Sequence, residues 1–411
     1  MRKNKKHTTM KIKSLIGKPT FALIVILVLV NACSKDKKDY LKKVLNILDQ
    51  IESATYYTTS EAWAPGDTSA FGISYHYIKE YNNPFDSTIG ASFVKLLQED
   101  TTKMTFCYDG NMKATIYENE KIMVIDNFKV RPLPFRPLNP PFFNYTKSII
   151  KYILETGDSI SIELEEFGDS LHLCLIIFED KQVEFFGKAH YIDNPYNFGD
   201  NICKYEIWIN KSNDLPYRVR REMSHDISVI TCRNIELNKN KIEDFNASDY
   251  FPSDYSTHLY RIRNKATVKN DLVGKVAPDW VLKDANNHII NLKELESKVL
   301  MIQFTSVSCG PCRASIPFLK QLASEYNKDK FDFVAIESFN RNSNVLNNYQ
   351  NRNDFDYKLL ISTKDVTKSY SIESVPVFFI LDENRVIRNV IIGYGEGSTD
   401  KEIRSIINEL I

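Results

Sequence analysis

The sequence predicts two units of different fold class. Residues 33–260 read as a mainly-β unit, antiparallel and entered by a helix; residues 273–411 read as an α/β unit with a mixed sheet. Three observations predict this. From about Tyr56 to Tyr260 the chain is rich in Tyr, Phe, Ile and Val arranged as short alternating runs, the pattern of half-buried strands. Around 261–272 that texture stops, and a linker is expected there. Beyond it, near-continuous apolar runs alternate with amphipathic stretches, as buried strands alternate with helices in α/β layers.

Composition sets the frame. The chain has 411 residues, with 53 Lys plus Arg against 53 Asp plus Glu. Such a balance gives no global basic excess to draw it to nucleic acid. Residues 1–18 carry seven basic residues and no acid, and Phe21–Val30 is a ten-residue apolar run that ends at Asn31-Ala32-Cys33. A basic start, a short apolar core and a small residue before a break describe a secretory signal over 1–32. Ten residues of helix rise about 15 Å, roughly half a bilayer core, so a permanent span is the weaker reading. Outside the cytosol disulfides persist, which changes how the seven cysteines read.

Along the β-rich unit, residues 38–54 place Leu41, Val44, Leu45, Leu48 and Ile51 on one helical face. Hairpins are expected over 113–126, turning at Glu118–Lys121, over 159–180, turning near Gly168-Asp169, and over 204–223, turning near Asn213-Asp214. Residues 226–237 continue the alternation. Five prolines between 131 and 143 exclude a central strand or a helix there. Cys107, Cys174, Cys203 and Cys232 lie in or beside strand-like runs. Free burial stays open for them, as does any of three full pairings.

In the second unit, 276–295 reads as a hairpin turning at Asn286-Asn287. A buried strand over 299–307 and a helix over 312–328 follow, then a second buried strand over 331–338 and a polar helix over 344–352. Next come a hairpin turning at Glu383–Arg385 and a closing amphipathic helix. Cys309 and Cys312 fall where the first strand meets the first helix. A helix start offers unpaired N–H groups and partial positive charge, both of which favour thiolate. Cys312, one turn on, can reach the same sulfur. Pro311 lacks an N–H, which costs little in a first turn. A zinc clip needs four ligands, and this half holds one histidine, His288, and no third cysteine. Ile302 and Ser306 stand where a peroxidatic cysteine would need Pro and Thr.

With these residues in place the second unit resembles the thioredoxin family, and in particular the membrane-anchored TlpA/ResA-like thiol–disulfide oxidoreductases. Cys309-Gly310-Pro311-Cys312 matches the thioredoxin active-site sequence at all four places. Pro317 stands at the family's helix-kinking proline and Pro376 at its cis-proline, with Val375 before it. Gly274, Ala277-Pro278 and Trp280 are similar to the family's opening motif. The separation 376 − 309 = 67 exceeds that of a minimal thioredoxin, as in the TlpA-like branch. The resemblance implies a thioredoxin-like fold and no cofactor. It makes Cys309 the nucleophile and Cys312 the resolving thiol, with Gly310, Pro311, Val375 and Pro376 shaping a groove for substrate. The implied partners are disulfide-containing periplasmic proteins, apocytochrome c among them, and a membrane electron donor of the CcdA/DsbD kind. Three positions depart from the pattern. Ser308 replaces the usual Trp, Gln303 the buried Asp of thioredoxins, and Ser315 the Glu of ResA-like proteins. Glu337 could stand in for the missing acids, or be a strand-end surface acid.

Two further resemblances bear on the first unit. Val30-Asn31-Ala32-Cys33 resembles a bacterial lipobox, which implies cleavage before Cys33 and lipidation of it; an ordinary signal with a coincidental cysteine is the alternative. SKDKKDY after it is a polar tether without the acidic run of surface export, so a periplasm-facing anchor is expected. The leading helix followed by a large antiparallel sheet looks like the LolA/LolB-type half-barrel. A second functional reading follows from that likeness: a lipid- or protein-binding lipoprotein with an accessory redox unit.

Overall fold

The computed structural model describes residues 37–130, 138–193, 201–261, 271–355 and 357–411. The leader 1–32, Cys33, Pro132, Pro134, Pro137 and most of the expected linker lie outside them. Helix α1 covers 37–49. The strands that follow are β1 (Ser53–Trp63), β2 (Gly72–Asn82), β3 (Ala91–Leu97), β4 (Met104–Tyr108), β5 (Lys113–Tyr117) and β6 (Ile122–Asp126). After helix α2 (Phe142–Glu155) come β7 (Ile160–Phe167), β8 (Ser170–Ile177), β9 (Gln182–Phe185) and β10 (Ala189–Ile192). The series ends with β11 (Cys203–Asn210), β12 (Pro216–Met223), β13 (Ile227–Leu237) and β14 (Ser256–Leu259). Twelve of these form one sheet, in the order β14-β6-β5-β4-β3-β2-β1-β13-β12-β11-β8-β7. Every neighbouring pair is antiparallel except β14 with β6.

The three expected hairpins are β5–β6, β7–β8 and β11–β12, and β13 continues the alternation. Helices α1 and α2 share one cluster with strands from the β7 end of the sheet: Leu41, Val44 and Leu48 pack with Ile149, Ile150, Leu173, Leu175, Tyr205 and Ile207. Two details differ from the sequence reading. The first helix stops at 49 rather than 54, because the backbone of Glu52 is taken by Asn82 and by the Asn238 side chain as β1 joins the sheet. Helix α2, beginning inside the proline-rich stretch, was not anticipated. Pro141 caps it without a side-chain bond. Its first N–H groups are met from strands far away in sequence instead. Phe142 N donates to Tyr56 Oη (2.9 Å), Phe143 N to Glu80 Oε2 (3.1 Å) and Asn144 N to Glu80 Oε1 (2.7 Å). Tyr56 Oη in turn donates to Glu80 Oε2 at 2.5 Å. Negative charge at a helix start is favourable, so one buried carboxylate seats α2 on the sheet.

The second unit has its own seven-stranded sheet. Its strands are β15 (Val281–Asp284), β16 (Ile289–Asn291), β17 (Val299–Thr305), β18 (Phe331–Glu337), β19 (Lys358–Ile361), β20 (Val377–Leu381) and β21 (Ile387–Ile392). Its helices are α3 (Gly310–Ala314), α4 (Ile316–Glu325), α5 (Ser343–Asn353), α6 (Lys364–Ser369) and α7 (Ser398–Leu410). The sheet order is β16-β15-β19-β18-β17-β20-β21. Strand β17 is parallel to β18 and antiparallel to β20, so the sheet is mixed. All seven residues of β17 are buried, which explains its unbroken apolar run. The expected single helix after Cys309 is two, α3 and α4, meeting at Ser315. Pro317 has no N–H to continue the ladder there. Strand β19 and helix α6 were not anticipated; both are short and carry weak periodicity.

The two units touch through the β1–β2 loop. Arg352 on α5 pairs with Asp67, whose side chain is nearly buried. Asn348 Nδ2 donates to Thr68 Oγ1 (3.0 Å), and Asn340 Nδ2 to the Phe71 carbonyl (3.2 Å). Phe71 packs against the second unit's apolar cluster. Gly66 has φ +83° and abuts the Arg352 stem, so a side chain there is disfavoured twice over.

Burial pushes Glu80 up to about 7 from 4.5, against the hydrogen bonds and Lys147, which pull it down. A carboxyl raised in the folded state contributes stability that is full below its unfolded value and is lost as pH rises through the folded one. Between pH 4.5 and 7 this group should therefore withdraw up to about 3 kcal/mol. Urea unfolding of Glu80→Gln should show a flatter stability profile across that window than wild type; parallel profiles would contradict the assignment.

Candidate active site

Strand β17 ends at Thr305 and delivers the chain to Cys309, which caps α3. Cys309 and Cys312 form a disulfide with Cα atoms 5.2 Å apart. Cys312 N–H donates to Cys309 Sγ at 3.2 Å, an orphan N–H of the first turn spent on the sulfur. Cys309 is partly exposed and Ser308 exposed, whereas Cys312 is 1% exposed. Only the first sulfur can meet an incoming substrate. The Val375–Pro376 peptide bond is cis, and Cys309 Sγ lies 3.5 Å from the Val375 carbonyl oxygen. The structure thus brings together Cys309, Gly310, Pro311, Cys312, Val375 and Pro376 from two places 66 residues apart.

The departures from the family pattern resolve into one arrangement. Gln303 and Ser315 are both buried. Gln303 Nε2 donates to Ser315 Oγ at 3.0 Å, and Ser315 Oγ donates to the Cys312 carbonyl at 2.7 Å. The two places where carboxylates were missing are partners in a neutral hydrogen-bonded chain that ends on the Cys312 carbonyl. Neither group carries a titratable proton.

Glu337 is no surface acid. It is fully buried at the end of β18. Oε2 accepts from Val307 N (2.7 Å) and Oε1 from Phe339 N and Asn340 N (both 2.9 Å). Burial pushes its pKa up, and these bonds pull it back. Oε2 reaches the loop before Cys309 and Oε1 the turn that follows β18, with no bond to Cys312, so Glu337 reads as a brace between that loop and that turn. The sequence signal was weak: an acid ending an apolar strand looks the same whether it turns outward or inward.

Cys107, Cys174, Cys203 and Cys232 are all buried and free, which settles the open pairings. Burial raises each of these thiols, and raised thiols are poor nucleophiles.

The redoxin family matches residues 272–407. The thioredoxin-like protein YneN of Bacillus subtilis is 30% identical over 122 residues, covering 29% of this chain and 71% of that protein. The thiol-disulfide oxidoreductase ResA of Geobacillus kaustophilus is 26% identical over 122 residues, covering 29% and 70%. A solved thioredoxin-family thiol:disulfide interchange protein of Chlorobium tepidum superposes with 21% identity, covering 34% of this chain and 98% of that one at a TM-score of 0.31. The family match does not extend to the twelve-stranded sheet.

Glu337→Gln leaves one acceptor oxygen where the carboxylate gives two, so at least one of three buried N–H groups loses its partner. An unmet buried donor costs about 1–3 kcal/mol. Urea unfolding of the oxidised protein should show a loss of that size, and a change under about 0.5 kcal/mol would contradict the brace.

Proposed function

The chain belongs to the thioredoxin family as a TlpA/ResA-like thiol–disulfide oxidoreductase, and from that premise we propose that it works as a disulfide reductase tethered by lipid at Cys33 on the periplasmic face of a bacterial envelope membrane. The observation that carries the redox reading is the unequal exposure of two bonded sulfurs at a strand-to-helix junction, with the partly exposed one facing Val375–Pro376.

In the reduced protein the Cys309 thiolate attacks a substrate disulfide. A bond forms between Cys309 Sγ and one substrate sulfur, and the other leaves as thiolate. Cys312 then gives up its proton and attacks Cys309 Sγ. The second substrate thiol is released and the protein is left in the disulfide state. Two electrons pass from protein to substrate. A dithiol donor of the CcdA/DsbD kind returns them. Gly310, Pro311, Val375 and Pro376 form the groove wall, and the Val375 backbone is placed to pair with an extended substrate segment. The Gln303–Ser315 pair lends no base to Cys312. Its proton leaves to water or to the departing thiolate. General acid–base help is worth roughly 10²–10⁴-fold where present, so resolution should be the slow step. Apocytochrome c is one client class this reading suggests.

Insulin reduction with a dithiol donor should be seen for wild type and be abolished in Cys309→Ala, while Cys312→Ala should accumulate mixed disulfides with client proteins. A wild type inactive with every donor tried would sink the reading. Labelled palmitate should enter the full chain in a bacterial host and be lost in Cys33→Ser; equal labelling would refute the anchor.

A further inference from the structure

Strand β2 outruns one of its neighbours. It pairs with β1 from Gly72 to Tyr81, but β3 joins it only from His76, opposite Leu97, onward. Bonded and non-bonded pairs alternate along an antiparallel ladder. Asn82 N donates to the Glu52 carbonyl (2.9 Å) and Asn83 N to the Gly90 carbonyl (3.0 Å). By that alternation the even-numbered residues of β2 turn their backbone groups to β1 and the odd-numbered ones to β3. Ile73 is odd. Its N–H and C=O point where β3 has no residue to meet them, and among the described residues no side chain bonds them.

Natural sheets blunt such edges with charge. Strand β7, at one end of this sheet, carries Glu163, Glu165 and Glu166. The open stretch of β2 reads Gly72-Ile73-Ser74-Tyr75 and carries no charge. Ile73 is 54% and Tyr75 48% exposed, and the two share a face with Thr59 and Glu61 of β1. An uncharged edge with exposed apolar side chains is a template for one further strand.

The stretch leads to the redox site. Phe71, just before it, accepts Asn340 Nδ2 on its carbonyl (3.2 Å). Asn340 N and Val307 N bond opposite oxygens of the Glu337 carboxylate (2.9 and 2.7 Å). Val307 stands two residues before Cys309. Followed bond by bond, Ile73 and Cys309 are no more than about 30 Å apart, the reach of about nine extended residues. Phe339, 55% exposed, belongs to the same turn as Asn340.

We propose that an extended segment of the client polypeptide adds to β2 as a strand at Gly72–Tyr75, so that this edge holds the client while its disulfide meets Cys309. The proposal rests on the reading of Cys309 as the nucleophile toward protein disulfides. It gives the client a chemistry: an unfolded, uncharged stretch with apolar residues at alternate positions and a cysteine within about nine residues of it.

The test compares three disulfides as substrates of the full chain. One is hydroxyethyl disulfide. The second is a Val/Thr-rich peptide of about fifteen residues, long enough to span both sites, joined to a second copy through an end cysteine. The third is the same peptide N-methylated at every Val and Thr, which cannot donate to a strand edge. With wild type the plain peptide should show a KM at least about fivefold below that of its N-methylated form. Ile73→Pro removes the open N–H without touching a bond to β1, and Ile73→Lys charges the edge. Each should raise the KM for the plain peptide at least about fivefold, with its kcat and both constants for hydroxyethyl disulfide unchanged. Ile73→Val should stay within about twofold of wild type. In the Cys312→Ala mixed disulfide, exchange of the Ile73 amide should slow at least about tenfold with the plain peptide and not with the N-methylated one. Equal KM values for the two peptides, or an Ile73→Lys variant that handles the plain peptide as wild type does, would overturn the proposal and leave the redox reading standing. Protection of the Ile73 amide in the free protein that grows with protein concentration would put a second copy of the chain on this edge, and would overturn it too. A wild type inactive on all three disulfides would sink the redox reading itself, and this proposal with it.

Discussion

The redox unit turns on a single junction, where an entirely buried strand runs into a helix at Cys309. Because β17 is paired on both sides, its end cannot drift, and the first turn of α3 is presented at a fixed place. The same turn buries Cys312 while leaving Cys309 in reach of solvent. The loop between strand and helix is pinned from below by Glu337 through Val307 N. From the segment before β20, the Val375 carbonyl oxygen faces the Cys309 sulfur. Reactivity here is a consequence of position: the four free cysteines of the other sheet are as numerous as any disulfide framework needs, yet burial raises each of their thiols above the ordinary value.

The two units are joined by more than covalent chain. The β1–β2 loop sets Asp67 against Arg352 and the Phe71 carbonyl against Asn340. Asn340 is also one of the backbone donors to Glu337, and Glu337 braces the residue two before Cys309. A continuous run of contacts therefore links the large sheet to the redox loop. Within that sheet, the Tyr56–Glu80 pair plays the corresponding part, seating α2 against strands 60 and more residues away in sequence.

Much of this was legible in sequence where local pattern and tertiary outcome agree. The run from 299 to 307, the hairpins at Glu118–Lys121 and Gly168-Asp169, and the Cys309–Cys312 spacing each carry their structure in a short window. Helix α2 was hidden because its start is capped by Tyr56 and Glu80, which no local window contains, and because the prolines before it dominate the reading. The Gln303–Ser315 pair looked like two separate losses, since a hydrogen bond between residues on a strand and at a helix junction shows only in three dimensions. Glu337 was ambiguous for a similar reason: what distinguishes a buried brace from a surface acid is the set of N–H groups waiting for it.

The central claim is that one sulfur of the pair is open to attack and the other is shielded. Brief iodoacetamide labelling of the reduced protein at neutral pH, resolved by peptide mass spectrometry, tests it directly. The account predicts that Cys309 is alkylated first, with Cys312, Cys107, Cys174, Cys203 and Cys232 unlabelled until the protein is unfolded. Labelling of Cys312 at a rate equal to or above that of Cys309 would contradict it.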